Sequence, residues 1–455
     1  MRRRWETSTS GSAASPGWRR DENVNPLWLG TAKKEISPQR PMPLAGFGHR
    51  TGVFEMVALP LYVKVWLFER KDAAGRISRA LLAQADILAW NEKRMDFLLG
   101  KLEALYGLPP SAVILQASHT HGGPWTVDLA HPADGAYVRF LEAQLLAGVE
   151  EACGRLVPVV AEQGAADFDL GINRRKFIAG RMTMAPNPEG PTDPEVRVVR
   201  YRERSSARDV GVLFHYTCHP TVTDANAVSA EYPGVAMERV EAALDGGAIA
   251  SFLQGCCGDI RPKLIRDGEF YRGGIDDVRL AGDRLADVVL GILNRPMEAL
   301  PDSPLVSGSA DTTLPFARLP DTGELVAGSD RPGMIGEWSR LLLGDPSRLA
   351  AGIRLRMNAV RLADGLTLVA MNGELTVAYG LFLKRQSRGV LPLAYGNGMI
   401  GYVPTAAQLV EGGYEALESI YYFGLPGPFS PEIERKIRTA AADLLRKIAL
   451  PVSDP

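Results

Sequence analysis

A continuous apolar run that ends abruptly in histidines most constrains the fold of this 455-residue chain. Residues 112–117 read AVILQA, and the next seven residues read SHTHGGP. A short run of this kind is typical of a strand that is buried on both faces. Similar runs at 210–216, 248–253 and 366–371 also lead into polar or glycine-containing segments. The pattern predicts a buried sheet with chemically active residues at the ends of its strands.

Helical segments alternate with these strands. Apolar residues recur at helical spacing in 91–106 and 137–156, and further helices are predicted at 278–292 and 431–448. This alternation predicts an α/β fold with a mixed or mainly parallel sheet flanked by helices. In open α/β sheets the ligand crevice lies at the carboxyl ends of strands, so we expect a metal site there.

The chain divides by composition into three segments. Residues 1–26 are polar and rich in Ser, Gly and Arg, which predicts a disordered tail. Residues 27–450 are interpreted as one hydrolase domain. Within it, 296–350 is a possible lid insert: 296–333 is rich in Pro, Gly, Asp and Ser and is predicted to be loop-dominated, and a short helix is predicted at 338–349.

Charge and cysteine content exclude several classes of function. The 51 basic and 53 acidic residues nearly balance, which gives no electrostatic case for a nucleic-acid partner or stable membrane association. The four cysteines include no CxxC pair, so a thiolate zinc ribbon is excluded. No apolar segment follows the N-terminal arginines, as a signal peptide would require. We therefore expect a cytoplasmic protein with reduced thiols.

Histidines follow two of the predicted strands. His119 and His121 stand two residues apart, so in an extended segment their imidazoles would share one face. Neutral imidazole is the commonest metal ligand, but such a pair can also be half-buried and bonded to the backbone. His219 ends a second strand and is the better candidate there, because His215 lies within the strand and is interpreted as a core residue.

Two further strand ends carry chemically unusual residues. Glu374 follows an apolar strand, where a carboxylate is costly unless it binds a metal or pairs with an arginine. Two histidines and one glutamate around an open position form a pattern of catalytic zinc. The segment Gly255-Cys256-Cys257-Gly258-Asp259 allows two interpretations: a nucleophilic cysteine, or a tight turn that places Asp259 beside the site.

Six short motifs, in this order, resemble those of the neutral/alkaline ceramidases. The resemblance runs from about residue 29 to residue 450, and it implies the catalytic N-terminal domain of that family. The motifs in this chain are Ser118-His119-Thr120-His121-Gly122-Gly123-Pro124, Asn173-Arg174-Arg175, Cys218-His219-Pro220-Thr221, Gly258-Asp259-Ile260-Arg261-Pro262, Gly373-Glu374-Leu375-Thr376, and Gly401-Tyr402-Val403-Pro404-Thr405 with the later Tyr414-Glu415.

The resemblance implies a zinc amidase and assigns roles by motif position. The zinc ligands would be His119, His219, Glu374 and Tyr402. The catalytic residues lining the site would be His121, Arg174, Tyr414 and Asp259. Such a site activates a bound water as a nucleophile, and a cation beside the metal stabilises the developing oxyanion.

One motif position departs from the family. Arg261 stands where the ceramidases carry a serine, so we do not expect a mechanism that uses this serine. Direct attack by zinc-bound water does not need the serine and is the mechanism we expect. Arg261 is a candidate substrate-binding residue for an anionic group, or else a partner for Asp259 or Glu374.

We therefore expect a zinc-dependent amidohydrolase acting on a small or lipid-like amide. The alternatives are an esterase or lactam hydrolase with the same metal site, and a pseudoenzyme that binds a ligand without turnover.

Overall fold

The computed structural model describes residues 25–128 and 133–448. Nearly all of the predicted tail, residues 1–26, lies outside the described residues, as do residues 449 and 450 at the end of the predicted domain.

The strands are β1 Leu27–Glu35, β2 Met56–Val57, β3 Tyr62–Lys71, β4 Ile77–Ala85, β5 Val113–Ala117, β6 Val157–Asp167, β7 Gly171–Ile178, β8 Arg181–Asn187, β9 Glu195–Glu203, β10 Asp209–Tyr216, β11 Ala227–Val228, β12 Ile249–Gln254, β13 Ile260–Pro262, β14 Ile265–Arg266, β15 Glu269–Phe270, β16 Glu298–Leu300, β17 Val306–Pro315, β18 Gly352–Ala363, β19 Leu366–Met371, β20 Glu374–Leu375, β21 Val390–Leu393 and β22 Tyr402–Val403.

The helices alternate with these strands along much of the chain. The α-helices are α1 Glu92–Tyr106, α2 Gly135–Cys153, α3 Glu231–Ala243, α4 Ile275–Leu293, α5 Thr322–Ser329, α6 Met334–Gly344, α7 Val377–Gln386, α8 Ala406–Glu411, α9 Ser419–Phe423 and α10 Glu432–Lys447. Two 3₁₀ turns, Pro110–Ala112 and Pro346–Leu349, and one π-helical turn, Tyr414–Glu418, complete the regular elements.

The larger sheet has nine strands in the order β12-β10-β9-β6-β1-β3-β4-β5, with β16 paired to β6. Only β10–β12 and β4–β5 pair in parallel, and the other neighbours are antiparallel. The smaller sheet has the order β17-β18-β19-β21. The predicted α/β class with a mixed sheet flanked by helices is therefore confirmed, and antiparallel pairs outnumber parallel ones.

The two sheets share one hydrophobic cluster between them. Alternate residues of β3 face opposite sides of the larger sheet. Trp66 and Phe68 face the smaller sheet and pack in the same cluster as its residues Leu362 and Leu368. The opposite face of β3, which includes Val65, packs against helices. Because side chains alternate across a strand, each sheet buries one face against the other and one against helices. None of the described helices is long and apolar enough to cross a bilayer.

The larger sheet bends strongly, and this brings its distant strands together. The Trp66 indole on β3 donates to Ser251 Oγ on β12 at 2.8 Å, although these strands are not neighbours in the sheet. The Gln116 side chain on β5 donates to the Gln254 carbonyl on β12 at 2.8 Å. The carboxyl ends of β5, β10 and β12 therefore meet.

The stretch 296–333 is more regular than its composition predicts, because it contains the ten-residue strand β17 and the helix α5. The short helix predicted at 338–349 overlaps α6. The apolar face of α6 and the register of β17 against β18 supply the burial that a loop would lack. A lid role for this segment stays a prediction.

Candidate active site

A cavity of about 940 Å³ lies where the strand ends meet. Part of its wall is apolar and includes Leu88, Met334, Met399 and Phe423. Eight of the nine site residues predicted from the sequence line it: His119, His121, Arg174, His219, Arg261, Glu374, Tyr402 and Tyr414.

The two histidines after β5 converge by a turn. His119 has a φ of 63°, which is the left-handed region and costly for a residue with a side chain. The expectation that an extended segment would place both imidazoles on one face is therefore wrong. His119 and His121 nevertheless meet, with 3.3 Å between their Nε2 atoms. The Tyr395 ring stacks on His119 at a centroid distance of 4.0 Å and fixes its plane.

Gln254 joins the chain segments that carry His119 and His219. Its side-chain nitrogen donates to the carbonyl of Ser118 at 3.2 Å and to the carbonyl of Cys218 at 3.0 Å. These carbonyls belong to the residues immediately before the two histidines. One buried amide therefore sets the spacing of both imidazoles.

Glu374 and Tyr402 are direct partners in a short parallel pairing of β20 and β22. The glutamate follows Gly373, where a Cβ would lie 2.9 Å from Val403 Cγ2. This close approach brings Glu374 against the histidines: its Oε1 lies 2.6 Å from His219 Nε2 and 3.3 Å from His119 Nε2. Both of these histidines and the glutamate are almost fully buried.

The two buried histidines face more hydrogen-bond acceptors than neutral imidazoles can satisfy, which favours a bound cation. Nδ1 of His119 lies 2.9 Å from the Leu88 carbonyl, and Nδ1 of His219 lies 2.8 Å from the Ile260 carbonyl. Each ring therefore faces an acceptor on both sides, because Glu374 faces both Nε2 atoms. A neutral imidazole has one N–H and can satisfy only one of these acceptors.

Electrostatics keep His219 and Glu374 in the forms that bind metals. Burial lowers the pKa of His219 to about 4, so its ring is neutral at pH 7. Burial alone would raise the pKa of Glu374, but its contacts with His119 and His219 hold it well below the usual range. Unprotonated nitrogens and a carboxylate that converge in this way fit a divalent metal such as zinc. The donor atoms of His119, His121 and His219 also lie within 4.8 Å of one another, so His121 joins the possible ligands.

Arg174 stands beside this cluster in a buried network. Its Nε donates to Glu415 at 2.8 Å, and one terminal nitrogen donates to the Tyr402 hydroxyl at 3.0 Å. Glu415 also pairs with Arg175 at 2.6 Å. Tyr414, the residue before Glu415, lies with its ring 5.4 Å from that of Tyr402. The network holds a guanidinium and two phenols at the cavity wall.

Asp259 takes a different place. Its carboxylate accepts from the Val377 amide at 2.8 Å and from the Gln408 side chain at 3.0 Å, and it is not among the cavity-lining residues. Burial raises its pKa to about 6. The aspartate that the sequence placed among the catalytic residues therefore ties α7 and α8 to the turn after β12.

The cysteines before Asp259 are buried and free, and burial raises the pKa of both thiols. The Cys257 sulfur lies 3.1 Å from the Tyr395 hydroxyl, so it supports the ring that stacks on His119. His215 bonds to the Pro392 carbonyl at 2.9 Å within the core, in line with its interpretation as a core residue.

The sequence motifs did not identify three residues that organise the site. Gln254, Glu415 and Tyr395 each reach it from another part of the chain and carry no recognisable spacing. Of the three, only Glu415 had a signal in the sequence, because it follows Tyr414 in one of the quoted motifs.

Comparison with known proteins gives a fold but no sequence relative. No protein-family model matches the chain, and no curated protein sequence matches it significantly. A solved structure described as ceramidase complexed with C2 superposes with a TM-score of 0.70 at 19% identity, over 94% of this chain and 76% of that one. The neutral ceramidase from Pseudomonas aeruginosa superposes with a TM-score of 0.68, with the same identity and coverage. The chain therefore shares the fold of these ceramidases, as the motifs predict.

Proposed function

We propose that this protein is a zinc-dependent amidohydrolase that cleaves a small or lipid-like N-acyl amide. The observation that carries the proposal is the convergence of His119, His219 and Glu374, whose nitrogen and oxygen atoms could together bind one metal ion. The shared fold with ceramidases supports an amide substrate. The apolar part of the cavity wall suits an acyl chain.

His119, His219 and Glu374 would hold the metal, with Tyr402 as a fourth ligand. A bound zinc ion would supply Lewis acidity and lower the pKa of a ligand water. Arg174 donates to the Tyr402 hydroxyl and presents positive charge to the cavity, so it is placed to stabilise an amide oxygen that gains negative charge.

His121 and Tyr414 complete the proposed machinery. Burial, followed by the neighbouring His119, lowers the pKa of His121 well below its usual range. A neutral His121 can accept a proton at Nε2 and return it to the leaving nitrogen. Tyr414 would donate a hydrogen bond to the substrate from the other side of Tyr402. Asp259 would position Gln408 and α7, and it would not contact substrate.

Metal analysis with single variants tests the proposal. The wild-type protein should carry about one zinc per chain, and the variants His119→Ala, His219→Ala and Glu374→Ala should lose both zinc and amide hydrolysis. The exposed His49 lies outside the cavity lining, so His49→Ala is a matched control that should keep its zinc. Full zinc content in all three site variants would refute the metal site.

A substrate panel separates the proposed reaction from its alternatives. Matched amides, esters and lactams, with release of free acid as the readout, distinguish an amidohydrolase from an esterase or lactam hydrolase. A fully zinc-loaded protein that turns over none of them would be the pseudoenzyme. The cytoplasmic location expected from the sequence belongs to the same proposal.

A further inference from the structure

Three arginines of the cavity wall have no acidic partner. Arg50, Arg261 and Arg272 all line the cavity, and none of them forms an ion pair with a carboxylate among the described residues. A buried arginine is normally paired, because an uncompensated charge in a protein interior is costly. Arg261 is buried, and Arg50 and Arg272 are partly buried, so three cations on one wall need an explanation.

Arg261 is the most deeply buried of the three, with 6% of its surface exposed. Its guanidinium stacks on the Phe270 ring at 4.2 Å, and its Nε has no hydrogen-bond partner. Neither Asp259 nor Glu374 pairs with it, although both were considered as partners from the sequence. Burial, and then the charges of Arg272 and Arg174, lower its pKa to about 9, which leaves it positive at pH 7.

Arg50 and Arg272 flank the same aromatic ring. Their guanidinium carbons lie 4.9 and 4.6 Å from the centroid of Phe47. Arg50 donates to the carbonyl of His121 at 2.8 Å, and Arg272 donates to the carbonyl of Thr221 at 2.6 Å. These backbone bonds fix the two cations close to His121 and to the segment after His219, and neither guanidinium forms a direct ion pair among the described residues.

Several carboxylates near the three arginines already have other partners. Asp224, which attracts Arg50 and Arg272 electrostatically, bonds to His49 at 3.1 Å. Glu231 accepts from the Thr223 and Tyr232 amides, and burial raises its pKa to about 7. Of the other lining carboxylates, Asp134 pairs with Arg40 and Glu337 pairs with none of the three arginines.

We propose that the substrate carries an anionic carboxylate or phosphate group, which Arg261 binds together with Arg272 and Arg50. A guanidinium fork matches the two oxygens of such a group, and the anion would relieve the repulsion among the three cations. The substrate class is then an N-acyl amide with an acidic group. The identity of the scissile bond rests on the proposed function, whereas the anion site rests on the arginines alone.

Three amides of equal acyl length test the proposal: N-dodecanoylglycine, N-dodecanoylethanolamine and the phosphate ester of the latter. We expect kcat/KM for at least one anionic amide to exceed that of the ethanolamide by roughly 10- to 100-fold, which is the range of a charge-assisted contact. The two anionic arms distinguish a carboxylate from a phosphate. Equal or faster turnover of the ethanolamide would overturn the anion site and leave the amidohydrolase intact.

Binding of unreactive analogues separates the two proposals. Ketone isosteres, in which a methylene replaces the amide nitrogen, can be titrated calorimetrically into the zinc-loaded enzyme. Anionic isosteres should bind at least ~10-fold more tightly than neutral ones. Such a preference without hydrolysis of any amide would refute the proposed function and support the anion site. No preference would overturn the anion site.

Substitutions of single arginines show which residue causes the preference for anionic substrates. Arg261→Gln should remove most of the anion preference and Arg261→Lys should keep part of it, and Arg272→Gln provides a second variant if Arg261→Gln fails to fold. The matched control is Arg279→Gln, because Arg279 is an exposed residue that pairs with Asp276 on the surface of α4. Unchanged anion affinity in both folded Gln variants would contradict the proposal.

Discussion

The carboxylate of Glu374 lies 2.6 Å from Nε2 of His219, while Nδ1 of the same ring already faces the Ile260 carbonyl. A neutral imidazole has one N–H and satisfies only one of these two acceptors, and a bound metal ion would remove the mismatch by taking Nε2 and the carboxylate as ligands. We therefore expect zinc to raise the melting temperature, since a ligand that binds only the folded state stabilises it by about 2.7 kcal/mol at a hundred times its Kd. Glu374→Gln should remove this zinc-dependent increment. Scanning calorimetry with and without a chelator measures it, and equal melting temperatures for the wild type in both conditions would contradict the prediction.

Gln254 should control zinc affinity without touching the metal. Gln254→Met keeps the length of the side chain but leaves the carbonyls of Ser118 and Cys218 without their shared donor. Losing such an outer partner typically lowers metal affinity by about 10- to 100-fold. Competition with a chromophoric chelator gives the zinc affinity. The control is Gln386→Met, at the end of α7 and outside the cavity lining, and an equal loss in the control would show a general effect of folding.

A single methyl group at Gly46 should displace His121. Gly46 has a φ of 100°, and a Cβ there would lie 2.5 Å from ring atoms of His121. Gly75 has a φ of 79°, but a Cβ there would meet no atom within 4 Å. Both alanine variants therefore carry similar backbone strain, and only Gly46→Ala disturbs the imidazole. We expect kcat to fall by at least ~10-fold in Gly46→Ala alone, because misplaced catalytic groups lose rate steeply. Similar kcat values for the two variants would count against a catalytic role of His121.

Glu231 should make stability fall as the pH rises. Burial raises its folded pKa from 4.5 to about 7, so the folded state binds the proton more tightly than the unfolded state does. This contribution is fully present below pH ~4.5 and is lost as the pH rises through about 7. The loss is on the order of 3 kcal/mol, since a tenfold change in proton affinity is worth about 1.4 kcal/mol. Urea unfolding at pH 5 and pH 8 measures it. Glu231→Gln should reduce the difference between the two pH values, and an identical difference in the variant would contradict the assignment.

The native protein should expose a single modifiable thiol. Burial raises the pKa of all four thiols, but Cys218, Cys256 and Cys257 are fully buried whereas Cys153 at the end of α2 is half-buried and reachable by a reagent. Because the thiolate is the reactive form, iodoacetamide at pH 8 should label Cys153 alone and leave amide hydrolysis unchanged. Peptide mass spectrometry identifies the labelled site. Rapid labelling of Cys257 with loss of activity would revive the nucleophilic interpretation.

Local patterns in the sequence determined the regular elements where one face had to be buried. The predicted strand 366–371 matches β19, and the predicted helix 91–106 matches α1, which Asn91 caps and Gly107 ends. These positions follow from periodicity and from capping, which depend on neighbouring residues alone. The composition of 296–333 misled because β17 gains its burial by pairing with β18, which lies beyond that stretch.

The sequence by itself also predicted residues that come together in space, since eight of the nine predicted site residues line one cavity. Only the tertiary structure decided how they meet. Contacts between segments far apart in the chain decide three features of the site. These are the left-handed turn at His119, the hydrogen bonds by which Gln254 joins two segments, and the position of Asp259 outside the cavity wall. The same holds for the three arginines without an ion pair among the described residues, because the sequence does not show which charged side chains end up next to each other.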